Sequence, residues 1–311
     1  MDNDTMNNES ARSLFILSLF IEFMPRVRIV TDSTAHFADP DFAQKHNITV
    51  APLTIHFGKE SFRDGVDISP AQFFARLGAA NSALPTAASP TPEQFTAVYD
   101  EAAQSSNQIV SIHLSSKLGR VWRNAKAGSE PLAGRCNIQV IDSMTTSVGL
   151  GLLVEAAARA AADGATPDDI VRIVRGLIPR VYVVFFVDSL EYLAHNKRFN
   201  KTQAILGAML GIKPFLAIEE GDIVVMEKLR NRLQATEKLI EFASEFSELE
   251  HLAILQSTPE ITADTRLVLD QLAIDFPGRE FPVEVYGPAL ATYLGPNAMG
   301  VIVFEGLPDD N

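Results

Sequence analysis

Three apolar runs in the first half of the chain end alike, in turns built of aspartate and hydroxyl side chains. Arg26–Thr31 (RVRIVT) runs into Asp32-Ser33-Thr34, Gln108–Leu114 into Ser115-Ser116, and Ile138–Ile141 into Asp142-Ser143. Helix signals alternate with these strand signals. Ser69-Pro70 and Thr91-Pro92 each place a capping hydroxyl before a proline at the first helical position. Leu118–Ala127 reads as a helix, and so does the alanine-rich Thr146–Ala162, closed by Asp163-Gly164. Ile48–Phe57 is a further strand candidate. Alternation of this kind demands parallel strands joined by crossover helices, because a parallel pair cannot be closed by a tight turn. In open sheets of that class ligands bind beyond the carboxyl ends of the strands. The three turns therefore form a shared polar rim, although the same residue types also cap helices.

From Thr166 the pattern changes. A capped helix extends to Leu177, a dense β run covers Arg180–Val187, and Asp188–Leu193 reads as a short helix. Gln203–Leu210 is apolar and helical, and Ile212–Ile218 is a strand. Gly221-Asp222 marks a hairpin turn into Ile223–Lys228. Thr236–Phe246 and Ile261–Phe276 read as helices, and His251–Gln256, Val283–Tyr286 and Val301–Phe304 as strands. Hairpins mixed with crossovers predict a mixed sheet. The expected organisation is an N-terminal α/β domain over residues 24–165 and a C-terminal α/β domain over 166–311. Residues 1–23 read as a leader outside the fold, with Met24 as an alternative start: the apolar run Ser13–Met24 is too short to span a bilayer and is interrupted by Glu22.

Composition narrows the function classes. The 311 residues are 47% hydrophobic and 21% charged, which excludes intrinsic disorder. A net charge of −13 repels phosphate backbones and anionic headgroups, so nucleic acid is not an expected partner, and with no stretch of membrane-spanning length integral membrane association is not expected either. The single cysteine, Cys136, forms no intramolecular disulfide, which fits a reducing, cytoplasmic compartment, and no metal site is expected. Glycine-rich phosphate loops, paired metal-binding motifs and the strained serine elbow of hydrolases are all absent. His113 and Ser115 share a strand face, but the sequence supplies no orienting acid or oxyanion hole. Basic residues concentrate at His195–Lys201 and Lys228–Arg232, where they suit either an anionic ligand, a partner protein or a solvated surface.

An ordered series of motifs then stands out. Val30-Thr31-Asp32-Ser33 is followed by Pro52-Leu53-Thr54-Ile55 and Asp64-Gly65-Val66-Asp67-Ile68. Next come Pro90–Phe95, Ile112–Leu118 and Asp142-Ser143 with Ser147 and Gly149. Asp188–Leu193, Leu210–Pro214, Gly287-Pro288 and Gly295-Pro296 complete the series. From Val27 to Phe304 the chain resembles the DegV family, the fatty-acid-binding proteins that serve bacterial fatty acid kinase. The resemblance implies two α/β domains with an acyl tunnel between them and the carboxylate at its mouth. It also implies a separate kinase subunit that phosphorylates the bound fatty acid, while the binding protein itself makes no bond and needs no cofactor.

The chain departs from the family at the mouth. The family's carboxylate contacts, a threonine, a serine and a histidine, stand here as Ala87, Gly119 and Tyr293. Its Gly-Gly-Arg-Ile loop has become Asn196-Lys197-Arg198-Phe199. A buried carboxylate without donors costs several kcal/mol or stays protonated, so other groups must replace the lost ones or the head group differs. Candidate ligand-binding residues are therefore Ser33, Ser115 and Ser116 on the rim, with Thr86, Ser89, Thr292 and Tyr293 at the mouth; Arg120 is a further anion partner. Arg198, Arg230 and Arg232 are assigned to partner docking. The expected function is to hold a long-chain fatty acid between the domains and present its carboxylate to the kinase. The competing readings are a hydrolase or transferase working at the serine-rich strand ends, and a binder of another amphiphile without a kinase partner.

Overall fold

The computed structural model describes residues 27–79, 82–196 and 212–306. The expected leader, the helix Gln203–Leu210 and Arg198 lie outside these residues. The N-terminal half runs β1 (Arg28–Asp32), α1 (Phe42–Lys45), β2 (Thr49–Ala51), β3 (Thr54–Phe57), β4 (Glu60–Arg63), α2 (Pro70–Leu77), β5 (Thr86–Ala88), α3 (Pro92–Ala102), β6 (Gln108–His113), α4 (Val121–Ser129), β7 (Asn137–Asp142), α5 (Ser147–Ala162) and α6 (Pro167–Leu177). Strands β2-β1-β6-β7 form a wholly parallel sheet. Both proline-led helices begin as expected: Ser69 and Thr91 each accept from the backbone N–H three residues on and donate their own N–H to the glutamine Oε1 of that residue.

Ile48–Phe57 is two strands, not one. Pro52 offers no N–H to a ladder, and the chain changes sheets there. β2 stays in the parallel sheet, whereas β3 leaves it to pair antiparallel with β4 and β5 in a small second sheet. Neither β4 nor β5 is legible beforehand, being four and three residues long with little apolar alternation.

The C-terminal half runs β8 (Val181–Phe186), α7 (Glu191–His195), β9 (Lys213–Glu219), β10 (Asp222–Leu229), α8 (Arg232–Ser244), β11 (Leu249–Gln256), α9 (Ala263–Asp275), β12 (Val283–Val285), α10 (Pro288–Leu294) and β13 (Met299–Glu305). Its strands form one mixed sheet in the order β10-β9-β8-β13-β11-β12, parallel only between β11 and β12. Helix α8 starts four residues before the expected Thr236, because Asn231 Oδ1 accepts from Gln234 N at 2.9 Å and caps it there.

Helix α6, assigned above to the second half, packs on the first sheet. Its Ile170, Val171 and Val174 share a buried cluster with Ile29 and Val110 of the parallel strands and Leu153 of α5. A separate core spans the two halves, joining Val30, Leu53 and Leu114 to Phe185, Leu255 and Ile302. Among the described residues no helix is long and apolar enough to cross a membrane.

Candidate functional site

The carboxyl ends of β1 and β6 lie side by side, and their polar residues close on one another. Asp32 Oδ2 accepts from Leu114 N at 2.9 Å and meets His113 Nδ1 at 3.0 Å, while Oδ1 accepts from Thr34 N at 3.0 Å. The other ring nitrogen, His113 Nε2, lies 2.6 Å from Ser111 Oγ, which accepts from Tyr99 OH at 3.0 Å. The acid that the sequence did not supply for His113 is thus Asp32, which comes within reach only because β1 and β6 are neighbours. The order Asp32–His113–Ser111 imitates a nucleophilic triad. All three side chains, and Tyr99 beyond them, are fully buried, and none lines a cavity in the interface. The arrangement satisfies buried polar groups at the strand ends.

The expected rim residues are similarly engaged. Ser33 Oγ donates to Asp64 Oδ2 at 2.9 Å and accepts from Leu53 N at 3.0 Å. Asp64 also accepts the backbone N–H of Ala289, so it ties the first half to α10 of the second. Burial pushes the Asp64 carboxyl up to about 7, against the pull of those two hydrogen bonds. Ser115 Oγ donates to Gly221 O at 2.6 Å across the two halves and accepts from Lys117 N at 3.3 Å. Gly221 has φ +82°, and a Cβ there would stand 2.4 Å from Ser115 Oγ, so only glycine admits this close approach. Ser33 and Ser115 are therefore bound up in cross-links within the protein. The backbone N–H of Ser116 is held by Asp142 Oδ1 at 3.1 Å, and its side chain is half-buried.

Beside this rim, between the parallel sheet and the mixed sheet, lies an apolar slot. Its walls include Leu114 and Leu118 from the first half, Phe185 and Ile302 from the mixed sheet, and Ala289 and Tyr293 from α10. It is narrow, about 30 Å³ on a scale where one water needs roughly 10–15 Å³. Tyr293 is 8% exposed and is the one expected mouth residue among its walls.

Around that end of the slot, α10 packs against β5 and α7. Thr86 and Ser89 are half-buried, and Ser89 Oγ accepts from Arg120 N at 3.2 Å while the Arg120 side chain is exposed. Thr292 is fully buried, and its hydroxyl donates to Ala289 O at 2.8 Å, so its proton is spent inside α10. Helix α10 stops at Gly295, φ +75°, where a Cβ would collide with the Tyr192 ring at 2.6 Å. Sequence reasoning overlooked Asn196, just after α7. Its Nδ2 lies 2.7 Å from Thr292 O, 3.0 Å from Tyr192 O and 3.2 Å from Pro85 O.

The docking arginines separate. Arg230 is exposed. The Arg232 guanidinium is taken up inside the second half: it pairs with Asp264, lies 3.5 Å from Asp188, donates to Asn297 O at 2.8 Å and sits over the Phe186 ring. Among the described residues no group of three or more His, Cys, Asp and Glu side chains is placed to hold a metal ion.

Comparison with known proteins agrees with this geometry. A DegV domain-containing protein of Caldanaerobacter subterraneus is 32% identical over 287 residues, covering 91% of this chain and 100% of the relative. Protein DegV of Bacillus subtilis is 27% identical over 279 residues, covering 88% and 98%. Among solved structures, a DegV family protein from Thermus thermophilus, described for its fatty acid binding, superposes with a TM-score of 0.79 at 27% identity, covering 90% of this chain and all of that one. DegV from Bacillus subtilis, described as a fatty acid binding protein, gives 0.79 at 26% identity, covering 90% and 99%. The model of the DegV family, described as uncharacterised proteins, matches residues 26–306, and with that span and those relatives this chain belongs to the DegV family.

Proposed function

We propose that the protein binds a long-chain fatty acid in the slot between its two sheets, holds the carboxylate at the Tyr293 end and presents it to a separate kinase subunit in the cytoplasm. The observation that carries this reading is the slot itself: apolar walls drawn from both halves, in a fold whose solved relatives from Thermus thermophilus and Bacillus subtilis are described as fatty acid binders. Each methylene removed from water there contributes about 0.8 kcal/mol, so the acyl chain supplies most of the affinity and head-group donors supply orientation. A long acyl chain is far larger than the slot, so its uptake requires the two walls to move apart. The hydroxyl side chains assigned to the head group are Thr86, Ser89, Ser116 and Tyr293. On this reading the protein makes no bond itself and needs no cofactor. Exposed Arg230, together with Arg198, serves the docking of the kinase subunit.

The test is an organic extract of the purified protein, analysed by mass spectrometry. A stoichiometric long-chain fatty acid is the expected result. A ligand-free extract from folded protein that also refuses added fatty acid would end this reading, and a bound neutral lipid would replace its head-group part.

A further inference from the structure

Four walls of the apolar slot carry a hydroxyl: Thr34, Thr146, Tyr286 and Tyr293. The Thr34 hydroxyl is spent on Asp32 Oδ1 at 2.5 Å, and the Tyr286 hydroxyl donates to Gly295 O at 2.7 Å. Tyr293 belongs to the head-group end described above. Thr146 is different: it is 3% exposed, and among the described residues its hydroxyl makes no hydrogen bond. It occupies the N-cap of α5, where a threonine ordinarily accepts from the first turn. Thr91, Thr166 and Thr262 do so at the starts of α3, α6 and α9, whereas the Thr146 side chain caps nothing. The backbone explains why. Ser147 enters α5 at a left-handed φ of +55°, held there because its N–H donates to Thr34 O at 2.9 Å and its C=O accepts from His36 N at 3.1 Å. Thr146 is thereby set extended, at φ −154°, with its side chain among the walls of the slot. On its other side Thr145 O accepts from Ser115 N at 3.0 Å. Both neighbours are thus fixed to the first half, and the hydroxyl keeps its place on that wall when the walls part.

An unpaired hydroxyl in an apolar wall is costly unless a ligand or water meets it, so what fills the slot around Thr146 should carry an oxygen. That oxygen should be neutral. No basic side chain stands among the walls, and Thr34, whose carbonyl abuts the Thr146–Ser147 peptide, has its hydroxyl on the buried Asp32 carboxyl group. A second anion there would lack a counter-charge. We propose that Thr146 is a specificity residue of the slot, pairing its hydroxyl with a hydroxyl borne by the acyl chain, so that the preferred ligand is a hydroxylated long-chain fatty acid. This rests on the fatty-acid reading above and deepens it by naming the class of acyl chain. A hydroxyl both donates and accepts, so the pair satisfies Thr146 in either direction. An unsubstituted chain leaves the same hydroxyl facing methylenes.

The experiment measures the binding of stearic acid and of 3-, 7-, 10- and 12-hydroxystearic acid to wild type, Thr146→Val and Thr146→Ser, with thermal melting as the control for folding. Valine keeps the shape of threonine and suits extended backbone but removes the hydroxyl, whereas serine retains it. In wild type and Thr146→Ser at least one hydroxystearic acid is expected to bind about tenfold more tightly than stearic acid. In Thr146→Val that advantage should shrink to within about twofold, with stearic acid bound as well as before or better. Wild-type protein that binds stearic acid but no hydroxystearic acid more tightly would overturn the proposal and leave Thr146 to water, while the fatty-acid reading stands. An advantage that survives Thr146→Val would overturn it too, since another group would then read the hydroxyl. Should the valine variant fail to fold, Thr146→Ala decides on the same criterion. Wild-type protein that binds none of these acids would overturn the fatty-acid reading, and the proposal with it.

Discussion

Two polar regions flank the apolar slot, and they are built to opposite ends. At the inner rim Asp32, His113, Ser111, Ser33 and Asp64 spend their hydrogen bonds on one another and on nearby backbone. At the outer mouth Thr86, Ser89 and Tyr293 lie around the junction of β5 and α10, where Asn196 Nδ2 meets Pro85 O and Thr292 O. The difference shows that a hydroxyl-rich strand end is not by itself a site. Buried polar groups that satisfy one another brace a junction, whereas reading a ligand requires groups at the edge of a cavity.

The largest effect should come from breaking the inner rim. Asp32→Ala leaves the His113 ring and the Leu114 and Thr34 amides without their acceptor in a fully buried position. Removing one partner from such a buried set costs about 3–5 kcal/mol. Urea unfolding should show a loss of that size, and a loss below 1 kcal/mol would mean that the network adds little to the fold.

Asp64 sharpens the same comparison through pH. Its carboxyl is raised to about 7 by burial, from 3.8 in an exposed chain. Between about pH 4 and 7 the folded chain therefore holds a proton that the unfolded chain has released. The contribution is full below that window and is lost as pH rises through it, by up to about 4 kcal/mol. Asp64→Asn should flatten this fall, measured as the difference in unfolding free energy between pH 4.5 and pH 8 on variant and wild type. Parallel pH profiles for the two proteins would show that Asp64 titrates normally.

The mouth should respond in ligand selectivity. Tyr293→Phe removes one donor at the edge of the slot and leaves the packed ring in place. A hydrogen bond to a charged group is worth ~1.5–3 kcal/mol, so fatty acid affinity should fall roughly 10- to 100-fold while affinity for the methyl ester hardly changes. Equal affinities for both ligands on both proteins would show that the site does not read a carboxylate through Tyr293.

Much of the scaffold was legible beforehand for simple physical reasons. Long β-branched runs, Ser-Pro and Thr-Pro helix starts and the Gly221 hairpin are local signals, and the alternation of strands with helices dictates a parallel sheet. The short strands β4 and β5 were not legible, since three or four residues are too few to show a period and their pairing with β3 is supplied by the fold. The family, too, could be read from motifs in order along the chain.

What local sequence determined by itself is which segments are strands and helices, that the first sheet is parallel, and which mouth residues differ from the family pattern. Each follows from periodicity, capping or residue identity within a few positions. Tertiary structure alone decided the partners. His113 finds its acid 81 residues away because β1 and β6 are neighbours in the sheet. Ser115 is consumed by a hairpin 106 residues away, and Asn196 gathers carbonyls from three segments. Hydroxyls and amides are too versatile for their type to announce a role; whether one binds a ligand or braces a junction depends on which groups folding brings within about 3 Å of it.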